Sequence, residues 1–204
     1  MYILMIALTV SAATVACALS ASGAAPKETV EVGINKVFDV LKDPALQADE
    51  KRQERREKLS GILNEYFDYR EMSKRALGKQ WNKLSGNERD EFVPIFRKLL
   101  ERVYLDSFDK YSSESIQFGF ARDLGKNKSV VETTVFSGSK EIPVDYNLLK
   151  RDYGWVVYDI KIEGVGLIKN YRTQFREVIQ KKSYGSLVAR LKDKVSRPPP
   201  VAKN

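Results

Sequence analysis

Near Ser115 the spacing of apolar residues along this chain changes from three or four to two, and it returns to the helical spacing only after Ile162. A period near 3.6 buries one face of a helix, and a period of two buries one face of a strand. The chain is therefore expected to fold as a run of helices followed by a run of strands, an α+β arrangement rather than alternating βαβ units.

Upstream of the switch, Val30, Ile34, Val37, Phe38 and Leu41 predict a helix over Lys27–Lys42 that ends at Asp43-Pro44. Asp49–Tyr66 reads as a charged helix whose apolar side appears late, and Tyr69–Leu77 as a short one stopped by Gly78. Ser85-Gly86-Asn87-Glu88 has capping-box spacing. A broad stripe from Phe92 through Phe96, Leu99, Val103 and Phe108 to Tyr111 follows it, with Pro94 inside the helix, where it should bend the axis. Downstream, four strands are expected: Ile116, Phe118 and Phe120 in the first, then Val131, Thr133 and Val135, then Ile142, Val144, Tyr146 and Leu148, then Val156, Tyr158, Ile160 and Ile162. Short turns between them imply an antiparallel meander. Pro143 lacks an N–H, which predicts that strand three lies at an edge or carries a bulge. Helices over Val165–Lys181 and Tyr184–Val195 close the domain, giving a curved four-stranded antiparallel sheet with several helices on one face.

Composition narrows the chemistry. Residues 1–26 carry no charge and end in small residues, so residues 1–25 read as a signal peptide, 26–196 as one domain and 197–204 as a disordered tail. A membrane anchor over the same stretch and lipid attachment at Cys17 are the alternatives. Cys17 is the only cysteine and there is no histidine. Cys–His and Ser–His–Asp catalysis are thereby excluded in the mature chain, along with nearly all zinc and copper sites and any disulfide. No metal and no cofactor is expected, and carboxylate, lysine or tyrosine chemistry stays open. The net charge of +8 comes from the C-terminal segment, where ten basic residues after Gly164 face only Glu177 and Asp193. Such a patch suits an anionic partner, and for an exported chain nucleic acid is not expected.

Phe67-Asp68-Tyr69, Leu77-Gly78-Lys79-Gln80-Trp81, Val144-Asp145-Tyr146, Trp155-Val156-Val157-Tyr158-Asp159 and Asn170-Tyr171-Arg172-Thr173-Gln174-Phe175, in this order, resemble the MlaC (toluene-tolerance) family. Gly166 and Thr173 depart from it, standing where the family often has serine. The resemblance implies a non-catalytic periplasmic carrier, a monomer, whose fold is a nuclear-transport-factor-like cone enclosing an apolar cavity for phospholipid acyl chains. Its implied partners are an outer-membrane lipoprotein complex and an inner-membrane ABC transporter complex with an MCE-domain subunit, and the implied role is upkeep of outer-membrane lipid asymmetry. Some relatives work with hopanoids, so a different lipid cargo is an open alternative. On this reading the cavity lies between the sheet and the helix Phe92–Tyr111. Its lipid-binding wall is expected from Phe96, Leu100, Val103, Tyr104, Val131, Ile142, Val144, Tyr146, Ile160 and Ile162. Lys169, Arg172 and Arg176 share a helix face and are expected to dock partners. The competing function is an enzyme using Asp145, Asp159 or Glu163 as an acid–base pair in the same cavity, although alternation places Asp159, Lys161 and Glu163 together on the solvated face of the sheet.

Overall fold

The computed structural model of this protein describes residues 24–108 and 114–197. All but the last two residues of the expected leader, Tyr111, and the tail beyond Arg197 lie outside the described residues. Helix α1 (Pro26–Lys42) starts with proline in its first turn, where the missing N–H has no intrahelical partner to lose. Ala25 N–H donates to the Glu28 carboxylate at 3.3 Å. Asp43 ends the helix by accepting from the Ala45 N–H at 2.9 Å. Two short 3-10 turns lead to α2 (Arg52–Tyr66) and then α3 (Tyr69–Leu77). Asp68 caps α3, accepting from the Glu71 N–H at 2.8 Å, and Gly78 ends it at φ +56°. Helix α4 (Gly86–Phe108) carries the capping box in full: Ser85 N–H donates to Glu88 at 2.8 Å, and Glu88 N–H donates to Ser85 Oγ at 3.3 Å.

The sheet is an antiparallel meander of β1 (Ser115–Gly125), β2 (Lys128–Ser137), β3 (Lys140–Arg151), β4 (Gly154–Ile162) and β5 (Val165–Gly166), in that order. Five strands replace the four expected. Glu163 (φ +50°) and Gly164 (φ +78°) form a two-residue turn with positive φ at both positions, the geometry that folds a strand straight back on its neighbour. Val165 and Gly166 therefore pair with Ile162 and Lys161, and α5 (Leu167–Lys181) starts two residues later than expected.

Two of the sheet's three register shifts break the simple alternation near the inner face; the third sets Leu124 out of register at the end of β1. In β1 the register jumps between Phe118 and Ala121, which sets Gly119 and Phe120 against Glu132 alone. Phe120, expected on the inner face, is left 83% exposed. In β4 the pairing skips Tyr158, so Val157, Ile160 and Ile162 share the inner face and Tyr158 turns outward beneath Arg75, 4.0 Å from its guanidinium. Pro143 sits in the central strand β3, neither at an edge nor bulged. Its carbonyl accepts from Glu163 N–H at 2.9 Å, and its missing N–H falls where β4 has already turned away.

The helices form two layers with different jobs. Helix α4 packs against α3, α5 and α6 (Tyr184–Ser196), not against the sheet. Phe92 and Phe96 meet Tyr171 and Phe175 edge to face, with centroids 5.2 Å apart for Phe96–Tyr171 and 5.9 Å for Phe92–Phe175. Helix α1 instead lies across the sheet, where Val30 packs with Val131, Leu148 and Val157. A third cluster, Leu41, Leu59 and Leu105, ties α1 and α2 to the far part of α4.

Candidate functional site

Three rungs of the sheet's inner face border a hollow: Ile116–Val135–Ile142, Val144–Ile162 and Tyr146–Ile160. Opposite them run the apolar face of α1, Leu63 and Tyr66 of α2, and Leu100 and Tyr104 of α4. Between the walls is a cavity of about 430 Å³, within the ~300–1,000 Å³ usual for ligand sites. Its lining along α1 runs from Thr29 to Leu41, twelve residue steps, or about 18 Å at ~1.5 Å per residue. One end is closed by the fully packed Val30, Val131, Leu148 and Val157. At the other end the last sheet rungs, Ile162 (39% exposed) and the polar pair Ser137–Glu114 meet solvent.

Local chemistry explains how the wall is held. Phe67 joins α2 to α3 and bridges directly to Val157 of β4, with Asp68 N–H donating to the Val157 carbonyl at 2.9 Å. The Asp68 carboxylate, already capping α3, accepts from Arg151 at 2.6 and 2.9 Å. That joint pins the helices to the β3–β4 hairpin. Several polar groups of the lining are tied to protein partners: Thr29 hydroxyl donates to the Ala25 carbonyl, Glu114 accepts from the Ser137 hydroxyl, and Glu101 accepts from the Ser60 hydroxyl. Burial pushes the Tyr146 phenol up to about 12 and raises those of Tyr69 and Tyr104, the last also facing the Asp159 carboxylate. These phenols stay neutral at physiological pH, so the interior is almost entirely uncharged hydrocarbon and ring.

Of the expected wall, Leu100, Tyr104, Ile142, Val144, Tyr146, Ile160 and Ile162 line the cavity. Three do not. Phe96 is fully buried in the aromatic helical core, Val131 is fully buried in the closed end, and Val103 is 38% exposed on the outer side of α4. The wall built by α1 and α2 was absent from that expectation. Its signal was the stripe Val30, Ile34, Val37, Phe38 and Leu41, which marks a buried face and says nothing of whether the partner surface fills it.

The enzyme carboxylates do not line the cavity. Asp145 is the cross-strand neighbour of Lys161, and Glu163 sits in the β4–β5 turn. Asp159, expected on the solvated face, is half-buried and accepts from the Ile168 N–H in the first turn of α5 at 3.0 Å. Burial raises its pKa even against the hydrogen bonds from Ile168 and Ile160. Lys169 and Arg176 are exposed on α5. Arg172 is tied down: its Nε donates to the Arg75 carbonyl at 2.6 Å, capping the last turn of α3 beside Gly78. Among the described residues no His/Cys/Asp/Glu group could hold a metal, and no helix is long and apolar enough to cross a membrane.

Comparison with known proteins bears on this cavity. A family model described as MlaC protein matches residues 31–193. The intermembrane phospholipid transport system binding protein MlaC of Haemophilus influenzae is 20% identical over 138 residues, which is 65% of this chain and 64% of that protein. The chain thus aligns with slightly less than two thirds of that relative's length. Among solved structures, the phospholipid-binding protein from Ralstonia solanacearum, determined in complex with a phospholipid, superposes with a TM-score of 0.77 at 26% identity. That match covers 85% of this chain and 98% of the other.

Proposed function

Because this chain belongs to the MlaC family, we propose that it is a non-catalytic carrier whose single domain, residues 26–196, holds the acyl chains of a phospholipid and moves them through the periplasm between outer and inner membranes. The observation that carries this reading is the cavity: lined almost wholly by apolar and aromatic side chains, with Glu101 and Glu114 as its carboxylates, about 430 Å³, and bounded by twelve residue steps of α1. Its ~18 Å length compares with the ~15 Å depth of one membrane leaflet. A two-chain lipid has on the order of 30 methylenes, and exposing a third of them to water costs about 8 kcal/mol. A carrier must therefore enclose the chains. Transfer from bilayer to cavity is apolar to apolar, so net affinity can stay modest, and the barrier lies in the exposed intermediate. That favours hand-over in contact with a membrane complex. Lys169 and Arg176, with Arg172 between them, supply a positive face for such contact with an outer-membrane lipoprotein complex or an inner-membrane ABC transporter carrying an MCE-domain subunit. The carrier works as a monomer.

Native mass spectrometry of protein taken from its own cells tests the reading, followed by organic extraction of the bound material. The expected result is a mass increment matching a diacyl phospholipid. An empty protein, or one loaded with a hopanoid, would overturn it.

A further inference from the structure

We propose that the ring of Tyr66 sets the length of acyl chain this cavity accepts, an inference that rests on the lipid-carrier reading. A second hollow of about 340 Å³ lies beyond the closed end, between the start of α1 and the β3–β4 turn. Thr29 and Tyr66 line both spaces, so they form the partition. The Tyr66 ring rests on the α-carbon of Gly33, which is buried: a Cβ there would come within 3.1 Å of Tyr66 Cγ and Cδ1. Any side chain at position 33 would push the ring off this seat by a few tenths of an ångström. The ring is held from outside as well, with Lys36 Nζ 5.1 Å from its centroid and bonded to Glu65 at 2.8 Å. The outer hollow has an apolar side of Val32, Val156 and Trp155, on which hydrocarbon can lie, opposite the carboxylates Glu28 and Glu65. With the ring in place, a chain longer than the cavity must buckle or leave methylenes in water. Without it, those methylenes enter the outer hollow.

The test uses the full protein, incubated with vesicles containing equal amounts of phosphatidylglycerols of graded saturated chain length. Protein is then separated from the vesicles, and its bound lipid is extracted and weighed by mass spectrometry. The wild type is expected to discriminate against chains above a cut-off length. Tyr66→Ala should move that cut-off to longer chains, favouring them over wild type by about fourfold per additional methylene accommodated. Tyr66→Phe keeps the ring and should keep the cut-off. Tyr66→Leu, the smaller disturbance to folding, should shift it partway. Normal loading with an unchanged cut-off in the Ala and Leu variants overturns the gauge and leaves the carrier standing, and so does an equal shift in Tyr66→Phe. Failure of the wild type to take lipid from any vesicle overturns the carrier reading and the gauge with it.

Discussion

Phe96 and Tyr146 are both large aromatic residues on inward faces, yet they belong to opposite kinds of interior. Around Phe96 the helices α4, α5 and α6 interlock ring against ring, and Phe96 has no exposed surface. Around Tyr146 the sheet and the α1–α2 pair stand apart over a void, joined at the closed end by the packed cluster at Val30–Leu148, while Leu41, Leu59 and Leu105 tie the helical wall together. The hydrophobic effect acts on both. The difference is geometric: the helices meet closely along interdigitated ridges, whereas the two cavity walls are joined through the packed cluster at the closed end and diverge from it. On the proposed reading, stability and binding fall to separate halves of one small fold.

The sharpest way to break that division is Phe96→Ala. In a filled core it should cost about 3–5 kcal/mol, read as a large drop in the denaturant midpoint, while lipid per folded molecule stays constant. A loss of lipid at unchanged stability would place Phe96 in the binding half after all. Val144→Trp is the mirror experiment. Overpacking a dense core costs ~1–3 kcal/mol, but here the indole has a hollow to enter. Bound lipid should fall sharply and the melting temperature only slightly, and an unfolded variant would make Val144 ordinary core.

Asp159 gives a smaller effect with a definite sign. Its folded pKa is raised by burial, so the native state holds this proton more tightly than the unfolded chain. Its contribution is most favourable at pH below the ordinary carboxylate range and is lost as pH rises through the raised value. Denaturant unfolding of the wild type and Asp159→Asn across the acidic range should show the wild type's relative stability falling as pH rises, then levelling. A difference that grows with pH would contradict the burial argument. The smallest stability change belongs to Lys169→Glu with Arg176→Glu, about 0–1 kcal/mol for exposed charges. Association with a membrane partner complex should nonetheless slow at low salt and converge with wild type at high salt. A rate indifferent to both would leave this face as plain solvated surface. Arg172→Glu belongs apart, because it also removes the α3 cap at Arg75.

Sequence period made the α+β order legible, along with the bounds of α3 and the Ser85–Glu88 cap, because each rests on contacts within a few residues. What escaped it depends on partners distant in sequence. Phe120 alternates correctly with Phe118, and only the mismatch with β2 at Gly119 turns it to solvent. Val165 reads as helical until Glu163, a residue that rarely takes positive φ, bends the chain into β5. The stripes of α1 and α4 look alike as sequence, and nothing in either says that one faces a filled core and the other an empty one. Ile142, Val144, Tyr146, Ile160 and Ile162 were recoverable because strand alternation names the inner face, and Leu100 and Tyr104 because the stripe of α4 includes the side that meets the void. Phe96 and Val103 were not, because only one side of α4 meets the void, and Val131 was not, because Val30, Leu148 and Val157 fill the space in front of it.

The joint at Phe67–Asp68 gives the two halves a shared anchor without a shared interior. Side chains around the void touch few neighbours that must move when they change, so drift there rewrites what fits inside while the aromatic half keeps the chain folded. A lineage carrying this architecture can exchange one cargo for another by small inherited steps, with no step that first has to rescue folding.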